Sequence, residues 1–319
     1  MDGLLAFVLG SGRCGSTLVT ELIARHPDVG FVSNVDDKLA RLNLKGQWNN
    51  ALFNRSAERD PSLRPFRDRR RPLERGRLRV APSEGWLVLD RQVSNIFPQP
   101  CRDLTAQDAT PWLKGRIVDF FDSRMEAQGK PHFVHHLTGW PRSGLLRSAY
   151  PDARFVQVVR DGRAVCSSWL QMGWWDGYRG PDSWYLGPLS PTDRAEWEDS
   201  GRSFVVLAGL GWRLLMDAAD EARRQVPSDQ WLDVRLEDFM DSPRQTLEKV
   251  LGFLELEWTP EFEAGFRRHT FQASRGSAWK RDLGDEQAAA LERVIARPLA
   301  RYGYPLLHTT APDVTPAPH

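Results

Sequence analysis

Leu5-Ala6-Phe7-Val8-Leu9-Gly10-Ser11-Gly12-Arg13-Cys14-Gly15-Ser16-Thr17-Leu18-Val19-Thr20-Glu21-Leu22-Ile23-Ala24-Arg25-His26 reads as a strand, a glycine-rich loop and a helix in direct succession. Leu4 to Leu9 is an apolar run of strand length, whereas Val19, Leu22, Ile23 and His26 fall at i, i+3, i+4 and i+7, the helical period. Between the two, Gly10, Gly12 and Gly15 free the backbone to take conformations closed to other residues and to turn its N–H groups toward one point. A helix beginning near Ser16 adds unpaired N–H groups and the positive end of its dipole. The stretch therefore predicts a cradle for a phosphate-like anion. A plain glycine-rich turn is the alternative, and the strand and helix on either side favour the cradle.

The loop departs from the nucleotide triphosphatase frame G-x-x-x-x-G-K-[ST] at one place. Gly10, Gly15 and Thr17 keep their positions, but Ser16 stands where that frame has its lysine. The clamp over β and γ phosphates is missing, and the only cation in the loop is Arg13. A second segment, Tyr150 to Leu170, gives a Pro151-Asp152 turn, a β-branched strand over Phe155 to Val159 and a helix capped by Asp161. Arg160 then lies at a strand's C-terminal end, the edge at which open parallel sheets bind ligands. Ser168, about two helical turns further on, faces the same side. Together they predict a second phosphate grip; a local Arg160–Asp161 ion pair, with Ser168 bonded back to its own helix, is the competing reading.

With both segments present in this order, the chain resembles the sulfotransferases that use 3′-phosphoadenosine 5′-phosphosulfate (PAPS). The resemblance implies that Gly10, Ser11, Gly12, Arg13, Cys14, Gly15, Ser16 and Thr17 surround the 5′-phosphosulfate, with Arg13 at the sulfuryl group, and that Arg160 and Ser168 hold the 3′-phosphate. Arginine at position 13, where many members carry lysine, is similar to the bacterial and tyrosylprotein branches. Two further blocks resemble the family: Leu232 to Phe239 with the helix after Ser242-Pro243, and Arg275 to Lys280. The second implies a basic loop closing over the 3′-phosphate, with Arg275, Gly276, Trp279 and Lys280 in contact with the nucleotide. The implied fold is a single α/β domain, P-loop-NTPase-like, with a central parallel sheet flanked by helices. The implied reaction uses PAPS as co-substrate and no metal. Residues 34–110 and 171–200 fall outside the resemblance, and an acceptor site would differ there.

The 319 residues suffice for one large α/β domain, expected over 1–308, with 34–110 as an insertion or lid carrying the acceptor region and 309–319 as a disordered, proline-containing tail. The 43 basic and 42 acidic residues nearly cancel, so no global field draws the protein to nucleic acid or to an anionic membrane. No apolar run of spanning length and no basic leader occurs, which predicts a cytoplasmic protein. Cys14, Cys101 and Cys166 are too few and scattered for a disulfide framework or metal site. Cys14 and Cys166 are placed to approach each other across the cofactor pocket, with Cys14 read as a small loop filler.

Along the chain, strands are expected at Val29–Ser33, Trp86–Asp90, His132–Leu137, Phe155–Val159 and Trp231–Arg235. Helices are expected at 112–128, 142–149, 204–224, 246–254 and 285–300. Alternating elements imply a parallel sheet. The cluster Arg67, Arg69, Arg70, Arg71, Arg75, Arg77 and Arg79 reads as a solvated surface ahead of a patch for an anionic acceptor.

Sulfuryl transfer is an in-line displacement in which charge grows on the bridging oxygen of the leaving nucleotide. A fixed cation such as Arg13 and nearby backbone N–H groups stabilise that charge, and arginine's very high pKa assigns Arg13 to charge stabilisation rather than proton donation. The acceptor also needs a base. His135 and His136 end the strand before Arg160, and side-chain alternation sends only one of them toward the pocket. We favour His136, against a core role for it, with Glu84, Asp36 and Asp37 as further candidates; His26 and His132 are expected to cap or pack. Trp169, Trp174, Trp175, Tyr178, Trp184, Tyr185 and Trp197 crowd one glycine-rich region and read as packing anchors ahead of acceptor walls. The expected partner is a small-molecule hydroxyl or amine. A nucleotide kinase, with Asp90 as a magnesium ligand, and a non-catalytic nucleotide-binding protein are the competing functions.

Overall fold

A computed structural model of the chain describes residues 3–56, 80–269, 271 and 277–307. Five strands form one sheet: β1 Leu4–Gly10, β2 Val29–Gly30, β3 His132–Thr138, β4 Arg154–Val159 and β5 Trp231–Arg235. Their order across the sheet is β2-β3-β1-β4-β5 and every pairing is parallel. β1 lies in the centre, so the loop that follows it emerges from the middle of the sheet's C-terminal edge.

Strict alternation on the central strands explains the layering. Ala6 and Val8 of β1, Val134 of β3 and Val156 and Val158 of β4 face one apolar core, which also takes Val19, Leu22 and Ile23 of the Ser16–Ile23 helix. Leu207 of the Phe204–Gln225 helix and Leu291 and Ile295 of the Ala278–Arg301 helix join the same core. Leu5, Phe7, Leu9, Phe133, Leu137 and Phe155 face the other side, against Leu113, Ile117, Phe120 and Phe121 of the Pro111–Gln128 helix and Leu145 and Leu146 of the next one. A sheet covered on both faces is what near-continuous apolar strands require.

Two elements differ from the sequence expectation. Val29–Ser33 pairs as a strand only over Val29–Gly30. Trp86–Asp90 is a helix, Trp86–Gln92, not a strand. A four-residue apolar run is ambiguous between the two states, and here the decision is made by capping: Gly85 takes φ 70°, and Asp37 Oδ1 accepts from the N–H groups of Leu87 (2.8 Å) and Val88 (3.0 Å). The same bonds occupy Asp37, and Asp36 is buried in the capping box of the Asn34–Lys38 helix, accepting from Ser33 N, Ser33 Oγ and Asn49 Nδ2. Both aspartates thus serve as helix caps away from the glycine loop. The arginine cluster at 67–79 and the tail at 309–319 lie outside the described residues.

Candidate active site

Gly10 closes β1, and the backbone reverses through Gly12 (φ 77°), Arg13 (φ 58°) and Gly15 (φ 94°) before Ser16 opens the helix. A Cβ on Gly15 would stand 2.5 Å from Leu236 Cδ1, so this glycine is required by conformation and by space. Thr138 ends β3 on one side of the loop and Val159 leads into Arg160 on the other. The C-terminal ends of β3, β1 and β4 thus surround one spot.

Arg13, Arg160 and Ser168, far apart in sequence, meet there. Arg13 Nε donates to Ser168 Oγ (2.9 Å), and Arg160 Nη1 donates to the Arg13 carbonyl (3.0 Å). The protein packed around Arg13 and, after it, the charge of Arg160 push the Arg13 pKa down. Two guanidinium groups held this close repel one another, and an anion between them relieves that repulsion. Arg160 Nε is buried with no hydrogen-bond partner, an unsatisfied donor of the kind a phosphate oxygen would take.

The local Arg160–Asp161 pair does not form among these contacts. Asp161 caps the Gly162–Trp169 helix by accepting from Arg163 N (2.9 Å), and both its oxygens also receive the Arg163 guanidinium at 2.9 to 3.3 Å. Arg163, 2% exposed, further donates to Glu292 Oε2 (2.7 Å) and to the Pro305 carbonyl (3.0 Å). Its guanidinium lies 4.8 Å from the Trp279 ring centroid. Trp279 is buried between Arg163, Ala164, Leu283 and Ala288, so its packing holds the helix that follows Arg160, and exposed Lys280 stands over the same ring at 5.7 Å. Arg275 and Gly276 lie outside the described residues. This buried network was missed in the sequence; Arg163, one turn from Arg160 beside a capping aspartate, was its only trace.

The two histidines of β3 separate as alternation requires. His135, aligned with Phe7, is buried between Phe7 and Phe121 with neither ring nitrogen bonded, and burial pushes its pKa down to about 3. His136, aligned with Val8, turns to the loop, where its Nε2 lies 2.8 Å from Ser16 Oγ. Glu84 comes from the segment that leads into the Trp86–Gln92 helix, within the stretch 34–110. Its Oε1 lies 3.9 Å from His136 Nε2 and accepts from Thr138 Oγ1 (2.8 Å), while Trp86 Nε1 donates to Oε2. The Glu84 side chain is 26% exposed against 4% for His136. Cys14 is buried beneath the loop, its Sγ 3.5 Å from Ser16 Oγ, and Ser11 is buried while Thr17 is exposed.

The tryptophans divide into anchors and walls. Trp169, Trp175, Trp184 and Trp197 are buried, and Trp169 Nε1 donates to the Gly12 carbonyl (3.3 Å) from beneath the loop. Trp174, edge-on to Trp169, is exposed, as is Tyr178. Asp90, the magnesium ligand of the kinase reading, is exposed on a helix and not at a strand end.

The sequence matches the family described as Sulfotransferase family over residues 6–260. The chain belongs to the sulfotransferase family. As an enzyme of that family it transfers sulfuryl groups. Two solved structures share the fold: the sulfotransferase STF9 from Mycobacterium avium, at 16% identity and TM-score 0.53, covering 96% of this chain and 78% of that one; and the sulfotransferase STF1 from Mycobacterium tuberculosis, at 16% identity and TM-score 0.51, covering 93% and 77%. No curated protein sequence matches it significantly. Among the described residues no helix is long and apolar enough to cross a membrane.

Proposed function

We propose that this sulfotransferase takes its sulfuryl group from PAPS and passes it to a hydroxyl or amine of a small-molecule acceptor, in the cytoplasm and without a metal. The observation that carries this reading is the junction of Arg13, Arg160 and Ser168 at the mouth of the glycine loop. A donor with phosphate groups at both ends of a ribose needs two anion grips a few ångströms apart, and the unpartnered Arg160 Nε supplies a donor for the second. Gly10 to Thr17 would hold the 5′ side through backbone N–H groups, and Arg160 with Ser168 the 3′-phosphate. The donor supplies an activated sulfuryl group whose leaving oxygen gains negative charge. Arg13 sits where its fixed charge would stabilise that oxygen more in the transition state than before it.

For the base, the geometry favours Glu84 over His136. His136 is enclosed and its Nε2 is engaged with Ser16 Oγ, which suits a residue that fixes the loop. Glu84 is more accessible, and its carboxylate is oriented by one donor on each oxygen, leaving a lone pair on each to receive a proton. Trp174 and Tyr178 would flank the acceptor.

Calorimetric titration with 3′-phosphoadenosine 5′-phosphate and with ATP tests the donor: the first should bind more tightly, and equal or tighter binding of ATP removes the reading. Arg160→Ala should erase the preference for the 3′-phosphorylated nucleotide over its dephosphorylated form; a preserved preference refutes the assignment. Mass spectrometry of a metabolite pool incubated with enzyme and PAPS, searching for added sulfate, identifies the acceptor.

A further inference from the structure

A second cation-rich site lies away from the loop. A cavity of about 310 Å³ is lined by Arg41, Asn43 and Lys45, by Arg91 and Gln92 at the end of the Trp86–Gln92 helix, and by Arg116, Asp119 and Phe120 of the Pro111–Gln128 helix. Among the described residues four cations line it beside one carboxylate, Asp119, in a protein whose total charge is +1. A ligand with more than one negative charge would find several donors in one place.

The wall behind the cavity carries a fifth cation. Arg124 is fully buried; its Nη2 donates to Gln92 Oε1 (2.9 Å) and to the Leu44 carbonyl (3.4 Å), its Nη1 to the Phe120 carbonyl (2.9 Å), and its Nε has no partner. Its guanidinium lies 3.7 Å from the Phe120 ring centroid. Burial lowers its pKa to about 10, against the pull of Asp36. Lys45 donates to Ser123 Oγ (2.9 Å), and burial and Arg124 together push its pKa down while Asp119 opposes them. Lys45 is thus held against a like charge that no carboxylate in the cavity fully answers. Trp112, 63% exposed, lies one helical turn before Arg116 with its ring 5.9 Å from that guanidinium, an apolar face beside one of the lining cations.

We propose that this cavity is an anion-binding site distinct from the glycine loop, and that it takes a small organic di- or trianion of sugar-phosphate size, its charge among Arg41, Lys45, Arg91 and Arg116 and its carbon skeleton against Trp112. The volume suits a molecule of that size and excludes nothing smaller, whereas the number of cations selects for more than one negative charge. The site does not depend on the identity of the sulfuryl donor, because no residue of the cavity belongs to the loop or to the Arg160 grip. The Trp86–Gln92 helix, about 10 Å long, links the two places: its N-terminal end follows Glu84 and its last residues line the cavity.

The test is calorimetric titration of the full chain with glucose 6-phosphate, with glucose as the neutral control. Wild type should bind one molecule of glucose 6-phosphate, more weakly as salt rises, and no glucose. The double variant Arg41→Ser/Arg91→Ser should bind at least roughly tenfold more weakly, a loss of about 1.4 kcal/mol or more. Arg160→Ala should bind as wild type does. Arg41 and Arg91 are both exposed, so the double variant should keep the wild-type circular dichroism and urea midpoint. Arg116→Gln, measured beside it, should weaken binding in the same direction. The proposal is overturned if glucose 6-phosphate gives no binding, if the double variant and Arg116→Gln bind as wild type does, or if binding falls in Arg160→Ala instead, which would place the anion in the catalytic loop.

Discussion

Replacing Gly15 by alanine separates what the loop demands from its backbone and from its surroundings. At φ 94° the alanine would hold a left-handed conformation, at a cost of about 1 kcal/mol. Its methyl group would also stand 2.5 Å from Cδ1 and 3.0 Å from Cδ2 of Leu236, which is only 7% exposed and so has little room to retreat; overpacking of this kind costs about 1–3 kcal/mol. The single variant should therefore lose about 2–4 kcal/mol in urea unfolding. Leu236→Ala alone should lose about 2–4 kcal/mol through the cavity it opens. In the double variant the new methyl sits in the space that Leu236 vacates, so the losses should fall short of additivity by about 1–3 kcal/mol. Nucleotide affinity is the second readout. Relieving the clash leaves φ unchanged, so Gly15→Ala/Leu236→Ala should still bind 3′-phosphoadenosine 5′-phosphate more weakly than Leu236→Ala does. Additivity of the two stability losses within about 0.5 kcal/mol would show that the methyl and Leu236 never meet, and the reasoning from packing would fail.

Arg13→Ala should lower kcat by about 10²–10³ with little change in nucleotide affinity, because its charge acts on the departing oxygen while the loop amides and Arg160 remain; single-turnover kinetics with titration of the nucleotide measures both. Glu84→Gln keeps two polar atoms for Thr138 and Trp86 but removes the proton acceptor, so kcat in steady-state assays should fall about 10²–10⁴; a fully active Glu84→Gln enzyme returns the role to His136. His135 is neutral when folded, with its pKa held at about 3, while the unfolded chain takes up a proton below about 6.5. As pH falls through that window the unfolded state gains a proton that the folded state refuses, so stability should drop by up to about 1.4 kcal/mol per pH unit from this residue. His135→Leu should flatten that slope in urea melts between pH 6 and 4, and an unchanged slope would show the ring already charged or unimportant.

Much of this arrangement was legible because it is local. The strand, loop and helix of residues 4–23 are written in period and glycine placement, and the shift from one period to the other marks the loop within a residue or two. β3 was equally clear, and alternation alone told that His135 and His136 must part company. The Trp86–Gln92 helix was misread because a short apolar run fits either state, and the deciding hydrogen bonds come from Asp37, fifty residues earlier. Glu84 could be named only among several acids for the same reason: Asp36 and Asp37 are engaged in caps formed in space, and Glu84 is brought toward His136 by Thr138, on β3, and Trp86. The Arg163 network was invisible since its partners, Asp161, Glu292 and Trp279, lie up to 129 positions away.

That network explains how the site keeps two arginines available for an anion. Asp161 follows Arg160 directly, and with no other cation nearby its carboxylate would neutralise the guanidinium that the proposed 3′-phosphate grip requires. Arg163 prevents this by taking both oxygens of Asp161 into a buried set that also satisfies Glu292 and one backbone carbonyl. The pairing is one that breaking would make expensive, since a buried carboxylate left alone is strongly destabilising. Among the described residues Arg160 is then left with one bond, to the Arg13 carbonyl, and a buried Nε without a partner, and Arg13 is held at φ 58° beside it. Backbone strain and like-charge repulsion both sit at the mouth of the loop, held there by packing on the surrounding core. A polyanion bound as proposed would relieve that repulsion, so the fold has met the cost of bringing the two cations together before a ligand arrives.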